Sequence, residues 1–241
     1  MKRRIAQITD LHLDEGFSEE QGIDTRNRFQ AVLKDIRREQ ISEIICTGDI
    51  AETESLSYFF AQFQSTYPLS LTLGNHDSFQ QVYKYFKTGA HQSSEKLYRS
   101  VQEEGFKFIF LDTSADIIDS QQLTWLSSQL GSSTPIIIFM HHPVIGLDLK
   151  VDEIGRLKNR DQVLSLLENA AVQITIFCGH YHMESSIAHK NIHQYITPAV
   201  SFQIEKHVDE IKIDSSTFGY RIIELERGSI SSRIQWLSSA D

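Results

Sequence analysis

Short apolar runs alternate with amphipathic segments through the first 180 residues of the chain. Each apolar run spans five or six residues and is rich in β-branched side chains, as buried strands are. In the segments between them, apolar residues return every three or four positions, which predicts helices with one buried face. The predicted strands are Ile5–Thr9, Glu43–Thr47, Leu69–Leu73, Phe106–Leu111, Ile136–Met140 and Gln173–Cys178, and the predicted helices are Thr25–Gln40, Ser55–Ser65, Ser120–Leu130 and Asn159–Asn169. This alternation predicts an α/β protein.

The pattern changes after residue 182, where strand-like runs follow one another at short spacing and no helical period is evident. We expect this last quarter to be antiparallel β-structure. Its predicted strands are Glu184–His189, His193–Ile196, Val200–Glu205, Glu210–Ile213, Gly219–Glu226 and Ile230–Trp236. No proline-rich or glycine/serine-rich linker divides the chain, so we expect residues 1–241 to form a single domain.

Composition excludes several classes of protein. Hydrophobic residues make up 40% of the chain and charged residues 23%, as in ordinary globular proteins. The net charge of −9 argues against long nucleic acid or an anionic membrane as a partner. Cys46 and Cys178 both lie in apolar runs, where we expect buried, reduced thiols. The start of the chain is too polar for a signal peptide and no apolar stretch reaches 18 residues, so we expect a cytoplasmic protein.

Histidine is the unusual component, because six of the ten histidines follow predicted strands together with acidic residues and glycines. The ends of strands are where α/β folds place their ligand sites. The five motifs, in chain order, are Asp10-Leu11-His12, Gly48-Asp49, Gly74-Asn75-His76-Asp77, His141-His142-Pro143 and Gly179-His180-Tyr181-His182. Each motif alone is compatible with a turn or with an exposed histidine. Their conjunction at strand ends predicts a metal site.

The residue types and spacings fit such a site. In an Asp-x-His or His-x-His pair that continues a strand, both side chains point to the same side and reach one cation or two adjacent ones. Glycines at 48, 74 and 179 allow the backbone to approach the ligands closely. Carboxylate, amide and imidazole ligands without a thiolate suit manganese, iron or zinc.

The five motifs resemble the signature of the calcineurin-like metallophosphoesterase superfamily. Within it, the Gly-Asn-His-Asp, His-His-Pro and Gly-His-x-His forms are most similar to class III cyclic nucleotide phosphodiesterases, in particular to the bacterial cyclic-AMP phosphodiesterase branch. Four further segments are similar in sequence to this branch: Phe108–Asp112, Gln121–Leu126, Thr197–Ala199 and Gly219–Leu225. The resemblance therefore covers nearly the whole chain.

The resemblance implies a fold and a ligand set. The implied fold is a four-layer α/β-β/α sandwich in which two mixed sheets are flanked by helices. Two metal ions per chain are implied, manganese, iron or zinc. One would be held by Asp10, His12 and His182 and the other by Asn75, His141 and His180, with Asp49 between them. Either His141 or His142 has the right position in the chain, and the family pattern favours His141.

The resemblance also implies a reaction. A hydroxide that bridges the two ions attacks phosphorus, which gives inversion at that atom. His76 is the candidate proton donor for the leaving sugar oxygen, and Asp77 is expected to orient its imidazole. The alternative for His76 is that it merely packs against its turn.

The most strongly implied substrate is a 3′,5′-cyclic nucleotide, cyclic AMP or cyclic GMP, which is hydrolysed to its 5′-monophosphate. Other small phosphoesters, such as a glycerophosphodiester or a phosphomonoester, and a vestigial nucleotide-binding role are alternatives, because the fold does not choose the substrate. Ser78-Phe79-Gln80 lacks an arginine common in the branch, and Val144 replaces a proline. We expect the segments 13–23, 78–91 and 144–160 to form the rim of the substrate pocket. The oligomeric state is left open by the sequence.

Overall fold

The computed structural model describes residues 2–63, 67–87, 95–103 and 105–238. In this part of the chain the helices are α1 (Gly16–Glu20), α2 (Thr25–Arg38), α3 (Leu56–Ala61), α4 (Phe79–Val82), α5 (Ser120–Gln129), α6 (Lys150–Gly155) and α7 (Arg160–Glu168), with a 3-10 turn at Thr53–Ser55. The strands are β1 (Arg3–Ile8), β2 (Glu43–Cys46), β3 (Leu69–Leu71), β4 (Arg99–Glu103), β5 (Phe106–Phe110), β6 (Ile136–Phe139), β7 (Ile174–Cys178), β8 (Ser185–His189), β9 (Ile192–Ile196), β10 (Gln203–Ile204), β11 (Ile213–Asp214), β12 (Thr217–Glu226) and β13 (Ser229–Ser238).

The described strands form two large mixed sheets and one small hairpin. The first sheet has the order β13-β12-β1-β2-β3, in which β1, β2 and β3 are parallel and β12 and β13 are antiparallel. The second sheet has the order β4-β5-β6-β7-β9-β8, with a parallel centre and antiparallel edge strands. Strands β10 and β11 pair only with each other among the described residues.

The two large sheets pack face to face. Their inner faces share one apolar cluster, to which the first sheet contributes Ile5 and Ile45 and the second contributes Phe108, Phe139 and Phe177. Because successive strand residues point to opposite faces, the alternate residues of the same strands pack outward. The outward residues of the first sheet pack against α2 and α3, and those of the second against α5 and α7. The fold is therefore the predicted four-layer α/β-β/α sandwich of two mixed sheets.

The long predicted helices are confirmed, with small changes at their ends. Helices α2 and α5 begin where an aspartate caps them: the side chain of Asp24 accepts from the N–H of Asn27, and that of Asp119 from the N–H of Gln122. The helix predicted for Ser55–Ser65 is α3, which ends at Ala61. The end of that prediction, residues 64 and 65, lies outside the described residues.

The six strands predicted before residue 182 are confirmed, whereas the prediction for the last quarter is partly wrong. Strand β9 pairs in parallel with β7, because the β8-β9 hairpin extends the second sheet instead of forming a separate antiparallel layer. The strands predicted at Val200–Glu205 and Glu210–Ile213 shrink to the two-residue strands β10 and β11. Strand β4 and the helices α1, α4 and α6 are not predicted by the sequence pattern, and none of them exceeds six residues.

Within the described residues, no helix is both long and apolar enough to cross a membrane.

Candidate metal centre

The five histidine and aspartate motifs meet at one end of the two sheets. They lie in the loops that follow β1, β2, β3, β6 and β7, and parallel strands bring their carboxyl ends to the same edge. Backbone hydrogen bonds join these loops: the N–H of Asp10 donates to the carbonyl of Gly48 at 3.0 Å, and that of Gly179 donates to the carbonyl of His141 at 3.0 Å. The N–H of His180 donates to the Oδ2 of Asp10 at 3.0 Å, which joins the loops of the two sheets into one connected surface.

The structure gathers six of the seven predicted metal ligands into two clusters. In each cluster one ligand atom per residue lies within 4.8 Å of the others. Five of the six residues are buried, and His180 is partly buried. The first cluster contains Asp10, His12 and His182, and the second contains Asp49, His141 and His180. This grouping separates His180 from His182, although only one residue lies between them.

The distances inside the clusters are those of ligands around a cation. In the first cluster the Nε2 atoms of His12 and His182 lie 3.1 Å apart, and in the second the Nε2 of His141 lies 3.1 Å from the Nδ1 of His180. Two nitrogen ligands at about 2.1 Å from one ion and at right angles to each other lie about 3 Å apart. The Oδ2 of Asp49 is 3.1 Å from the Nε2 of His141 and 3.7 Å from the Nε2 of His12. It therefore lies between the two clusters.

Each of the four imidazoles is oriented by an oxygen acceptor on its outer side. The Nδ1 of His141 is 2.8 Å from the carbonyl of Thr47, the Nε2 of His180 is 2.7 Å from that of Gly155, and the Nδ1 of His182 is 2.9 Å from that of Phe202. A carbonyl only accepts, so each of these ring nitrogens carries a proton, and the other nitrogen of each ring faces the cluster. The Nδ1 of His12 is bound in the same way by the carboxylate of Glu15, at 2.9 Å.

The backbone of the ligand loops has an unusual conformation. Asp10, His12, Asp49, His180 and His182 all have φ between 45° and 70°, which is rare for residues with a side chain and costs about 1–3 kcal/mol each. The expectation that the Asp-x-His and His-x-His pairs continue their strands is therefore wrong. Strands β1 and β7 end at Ile8 and Cys178, and the left-handed turns beyond them send His180 and His182 to different clusters.

The predicted close approach at the three motif glycines is confirmed. A Cβ built on Gly48 would lie 2.3 Å from the backbone nitrogen of Gly74, and one on Gly74 would lie 2.2 Å from the Oδ1 of Asp49. A Cβ on Gly179 would lie 2.4 Å from the Oδ2 of Asp10. Any side chain at these positions would displace a loop that carries a predicted ligand.

Asp77 has a different role from the predicted one. Its carboxylate accepts hydrogen bonds from the backbone N–H groups of Gly74 and Asp49, both at 2.8 Å, and of Ile50 at 2.9 Å. The expectation that Asp77 orients the imidazole of His76 is therefore wrong. Its hydrogen bonds connect the loop after β2 to the turn after β3.

The imidazole of His76 is held by Glu15, a residue that the sequence analysis did not single out. The Nδ1 of His76 lies 3.1 Å from the Oε2 of Glu15, and its backbone N–H donates to the Oδ1 of Asp49 at 2.9 Å. The His76 side chain is 47% exposed, so the rest of the ring is accessible. The only sequence signal for Glu15 is its position three residues after His12, which is too common a spacing to carry a prediction.

Two further motif residues, Asn75 and His142, differ in their exposure. Asn75 is exposed, on the same turn as His76. His142 is buried, with its Nδ1 2.9 Å from the hydroxyl of Thr113 and its ring centroid 4.1 Å from that of His180. His142 therefore packs against a cluster member and lies outside both clusters.

The charges of nearby histidines hold the carboxylates of Asp10 and Asp49 ionised. Burial alone would raise the pKa of Asp49, but the charge of His141 and its hydrogen bond bring that pKa well below its usual value. Burial lowers the pKa of His180, and the nearby His141 lowers it further, to about 4, so this ring is neutral at pH 7. Burial lowers the pKa of His141, but the charges of Asp49 and Asp10 raise it to about 9, so this ring is protonated at pH 7 and a metal ion would displace its proton.

Comparison with known proteins gives consistent results. A family model described as Calcineurin-like phosphoesterase matches residues 3–184, a range that contains all five motifs. A probable cyclic nucleotide phosphodiesterase of Fibrobacter succinogenes is 26% identical to this chain, and the match covers 92% of this chain and 89% of that protein. The 3′,5′-cyclic adenosine monophosphate phosphodiesterase CpdA of Vibrio vulnificus is 25% identical, over 98% of this chain and 90% of that protein.

The fold also has counterparts among solved structures. The crystal structure of a dimetal phosphatase from Danio rerio aligns with a TM-score of 0.62 at 15% identity, covering 96% of this chain and 98% of that one. At this level of identity the similarity concerns the fold alone.

Proposed function

The chain belongs to the calcineurin-like phosphoesterase family, a family of hydrolases, and we propose that it is a dinuclear metal-dependent phosphodiesterase of 3′,5′-cyclic nucleotides. The observation that carries the proposal is the pair of ligand clusters with the carboxylate of Asp49 between them. The substrate class is supported by the similarity, over nearly the whole length of the chain, to proteins named as cyclic nucleotide phosphodiesterases.

We propose that each cluster holds one ion. Asp10, His12 and His182 would hold the first, and His141 and His180 the second. Asn75 would complete the second set from its exposed turn, and Asp49 would bridge the two ions. All donors are oxygen or imidazole nitrogen, which favours manganese, iron or zinc, and each histidine has its outer nitrogen already bound by an oxygen. The residues therefore fit a pair of such ions.

When bound, the two ions activate water as the nucleophile and neutralise charge on the phosphoryl oxygens. The chain supplies the proton that the leaving group needs. Hydrolysis adds OH to phosphorus and breaks the P–O3′ bond, so the sugar oxygen must gain a proton. His76 would donate it from Nε2, since its Nδ1 is bound to Glu15. The hydrogen bond that His76 donates to Glu15 raises the pKa of His76 to about 9, which keeps this proton available at neutral pH.

Selectivity for a small diester agrees with the charge of the chain. With a net charge of −9 the protein lacks the general positive field that long nucleic acid would require. The segments proposed as the pocket rim, 13–23, 144–160 and the described part of 78–91, residues 78–87, directly follow the motif loops in the chain. The cytoplasmic location stays a prediction of the sequence.

A substrate panel tests the proposal. We expect manganese-loaded protein to hydrolyse cyclic AMP or cyclic GMP to the 5′-monophosphate and to prefer bis(4-nitrophenyl) phosphate over 4-nitrophenyl phosphate. Metal analysis should find about two ions per chain. Asp49→Ala should abolish turnover, while Asp209→Ala, at an exposed position outside the centre, should not change it.

Three outcomes contradict the proposal in different ways. Preference for the monoester would indicate a phosphatase. Turnover of other diesters without cyclic nucleotide turnover would replace the substrate and leave the metal centre in place. Activity that survives Asp49→Ala would exclude the bridging role of that carboxylate.

A further inference from the structure

One carboxylate contacts two histidines that have different predicted roles. The Oε2 of Glu15 lies 2.9 Å from the Nδ1 of His12, a proposed metal ligand, and 3.1 Å from the Nδ1 of His76, the proposed proton donor. The two rings stand edge to face, with centroids 4.8 Å apart and an angle of 88° between their planes. One oxygen of Glu15 is therefore shared between the metal centre and the proton donor.

The position of Glu15 is set by its backbone. Its N–H donates to the carbonyl of His12 at 3.2 Å, and its own carbonyl accepts from the N–H of Glu19 at 3.2 Å as α1 begins. The Glu15 side chain is only 12% exposed, whereas that of His76 is 47% exposed. A fixed, largely buried acceptor thus holds one side of a more exposed ring.

We propose that Glu15 is a positioning residue. Its carboxylate orients the His76 imidazole so that the Nε2–H donates to the leaving oxygen, and it connects that imidazole to the loop that carries His12. This inference rests on the proposed phosphodiesterase function. Because a carboxylate accepts only, both Nδ1 atoms carry protons in this arrangement. The Nε2 atoms are then left for the cluster in His12 and for the leaving group in His76.

Glu15 neither gains nor loses a proton in the step. Water adds OH to phosphorus and releases its other proton to solvent, the P–O3′ bond breaks, and the proton on the Nε2 of His76 moves to the sugar oxygen. A proton from solvent then restores His76 for the next turnover. Well-placed proton donors contribute about 10²–10⁴-fold to rate. Without Glu15 the His76 ring has lost its hydrogen-bond acceptor, so part of the rate enhancement that His76 provides is lost.

The test uses leaving groups that differ in their need for a proton. A sugar alkoxide needs one, whereas 4-nitrophenolate departs without it. We expect Glu15→Gln to lower kcat for the cyclic nucleotide by about 10- to 100-fold and to change kcat for bis(4-nitrophenyl) phosphate by less than about threefold. His76→Ala should show the same selectivity. The double variant should be no slower than His76→Ala alone, because both changes remove the same contribution.

A matched control and a second readout separate positioning from simple damage. Glu52 lines the same cavity of about 80 Å³ as Glu15 and His76, so Glu52→Gln removes a nearby charge and should leave both activities unchanged. In zinc-loaded protein, ¹⁵N NMR of the imidazoles should find a protonated Nδ1 on His76 in the wild type and a changed signal in Glu15→Gln.

The outcomes distinguish the inference from the function on which it rests. Equal losses on both substrates together with loss of metal would mean that Glu15 acts only through His12, and additive effects of Glu15→Gln and His76→Ala would exclude a shared role. An unchanged His76 signal in Glu15→Gln would overturn the inference as well. If the wild type hydrolyses no cyclic nucleotide, the proposed function fails, and the NMR comparison alone decides whether Glu15 positions His76.

Discussion

The Nε2 atoms of His12 and His182 face each other at 3.1 Å, while the Nδ1 atom of each ring is bound by an oxygen on the far side. When both Nδ1 atoms carry protons, both Nε2 atoms present lone pairs, and two lone pairs at this distance repel each other. The Oδ1 of Asp10, 3.4 Å from the Nε2 of His182, adds a third electron-rich atom. The arrangement is stable only with positive charge between these atoms, which a metal ion or extra protons supply.

We therefore expect metal binding to stabilise the fold. A ligand at 100 times its dissociation constant contributes about 2.7 kcal/mol, which raises the Tm of a chain of this size by roughly 5–10 °C. Differential scanning calorimetry of chelator-treated protein, with and without added manganese, measures this shift. His182→Ala should reduce the shift. His207→Ala, at a partly exposed histidine outside the clusters, should preserve it. An unchanged Tm on metal addition would contradict this expectation.

Large-to-small substitutions should destabilise the fold most at the interface between the two sheets. Phe139 is fully buried there, and its ring stacks on those of Phe110 and Phe177 with centroids 5.4 and 5.5 Å apart. Phe139→Ala should lower the free energy of unfolding by about 3–5 kcal/mol, as large-to-small changes in a packed core do. Denaturant unfolding measures the loss. The same change at Phe17, which is 47% exposed, should cost less than about 1 kcal/mol.

Comparable losses at Phe139 and Phe17 would mean that the two sheets do not share a packed core.

The thiols of the two cysteines should be unreactive in the folded protein. Cys46 and Cys178 are both buried, and burial raises the pKa of each thiol above its usual value. Because the thiolate is the reactive form, we expect no reaction with a disulfide reagent such as 5,5′-dithiobis(2-nitrobenzoate) under native conditions. In denaturant, two thiols per chain should react. Rapid modification of the native protein would contradict the burial of these strands.

The sequence predicted which residues come together at the strand ends better than it predicted the backbone that presents them. Strand periodicity located β1 and β7, and the motifs named Asp10 and His182. Periodicity says nothing beyond a strand end, and the left-handed φ values that direct the ligands arise from contacts between the loops. The acceptor for His76 was missed for the same reason, since Glu15 and His76 come together only through the tertiary fold.

The hydrogen bonds of Asp77 predict a structural effect. Asp77→Ala would leave the three backbone N–H groups of Gly74, Asp49 and Ile50 without their acceptor, at a cost of about 2–4 kcal/mol. The loop that carries Asp49 would also be released, so metal content should fall together with stability. His76→Ala removes only a partly exposed ring and should leave the free energy of unfolding within about 1 kcal/mol of the wild type.

Chemical denaturation and metal analysis of these two variants, with Asp209→Ala as a surface control, check this contrast. If Asp77→Ala retained full stability and lost activity only through His76, the hydrogen bonds to the loop would not be its main contribution.

The contact between Gly179 and Asp10 makes the sharpest prediction about the metal centre. A Cβ at position 179 would lie 2.1 Å from the Oγ1 of Thr9 and 2.4 Å from the Oδ2 of Asp10, so Gly179→Ala must displace one loop from the other. Because Asp10 also accepts from the N–H of His180, at 3.0 Å from its Oδ2, the displacement separates members of both clusters. We expect a loss of about 1–3 kcal/mol in stability, the usual cost of overpacking, and at least a tenfold weaker affinity for the metal.

Gly131→Ala makes the same chemical change where no atom lies within 4 Å of the added Cβ, and it should alter neither quantity. Isothermal titration with manganese compares the two variants directly, and wild-type affinity in Gly179→Ala would mean that the carboxylate of Asp10 does not need its present position to bind the ion.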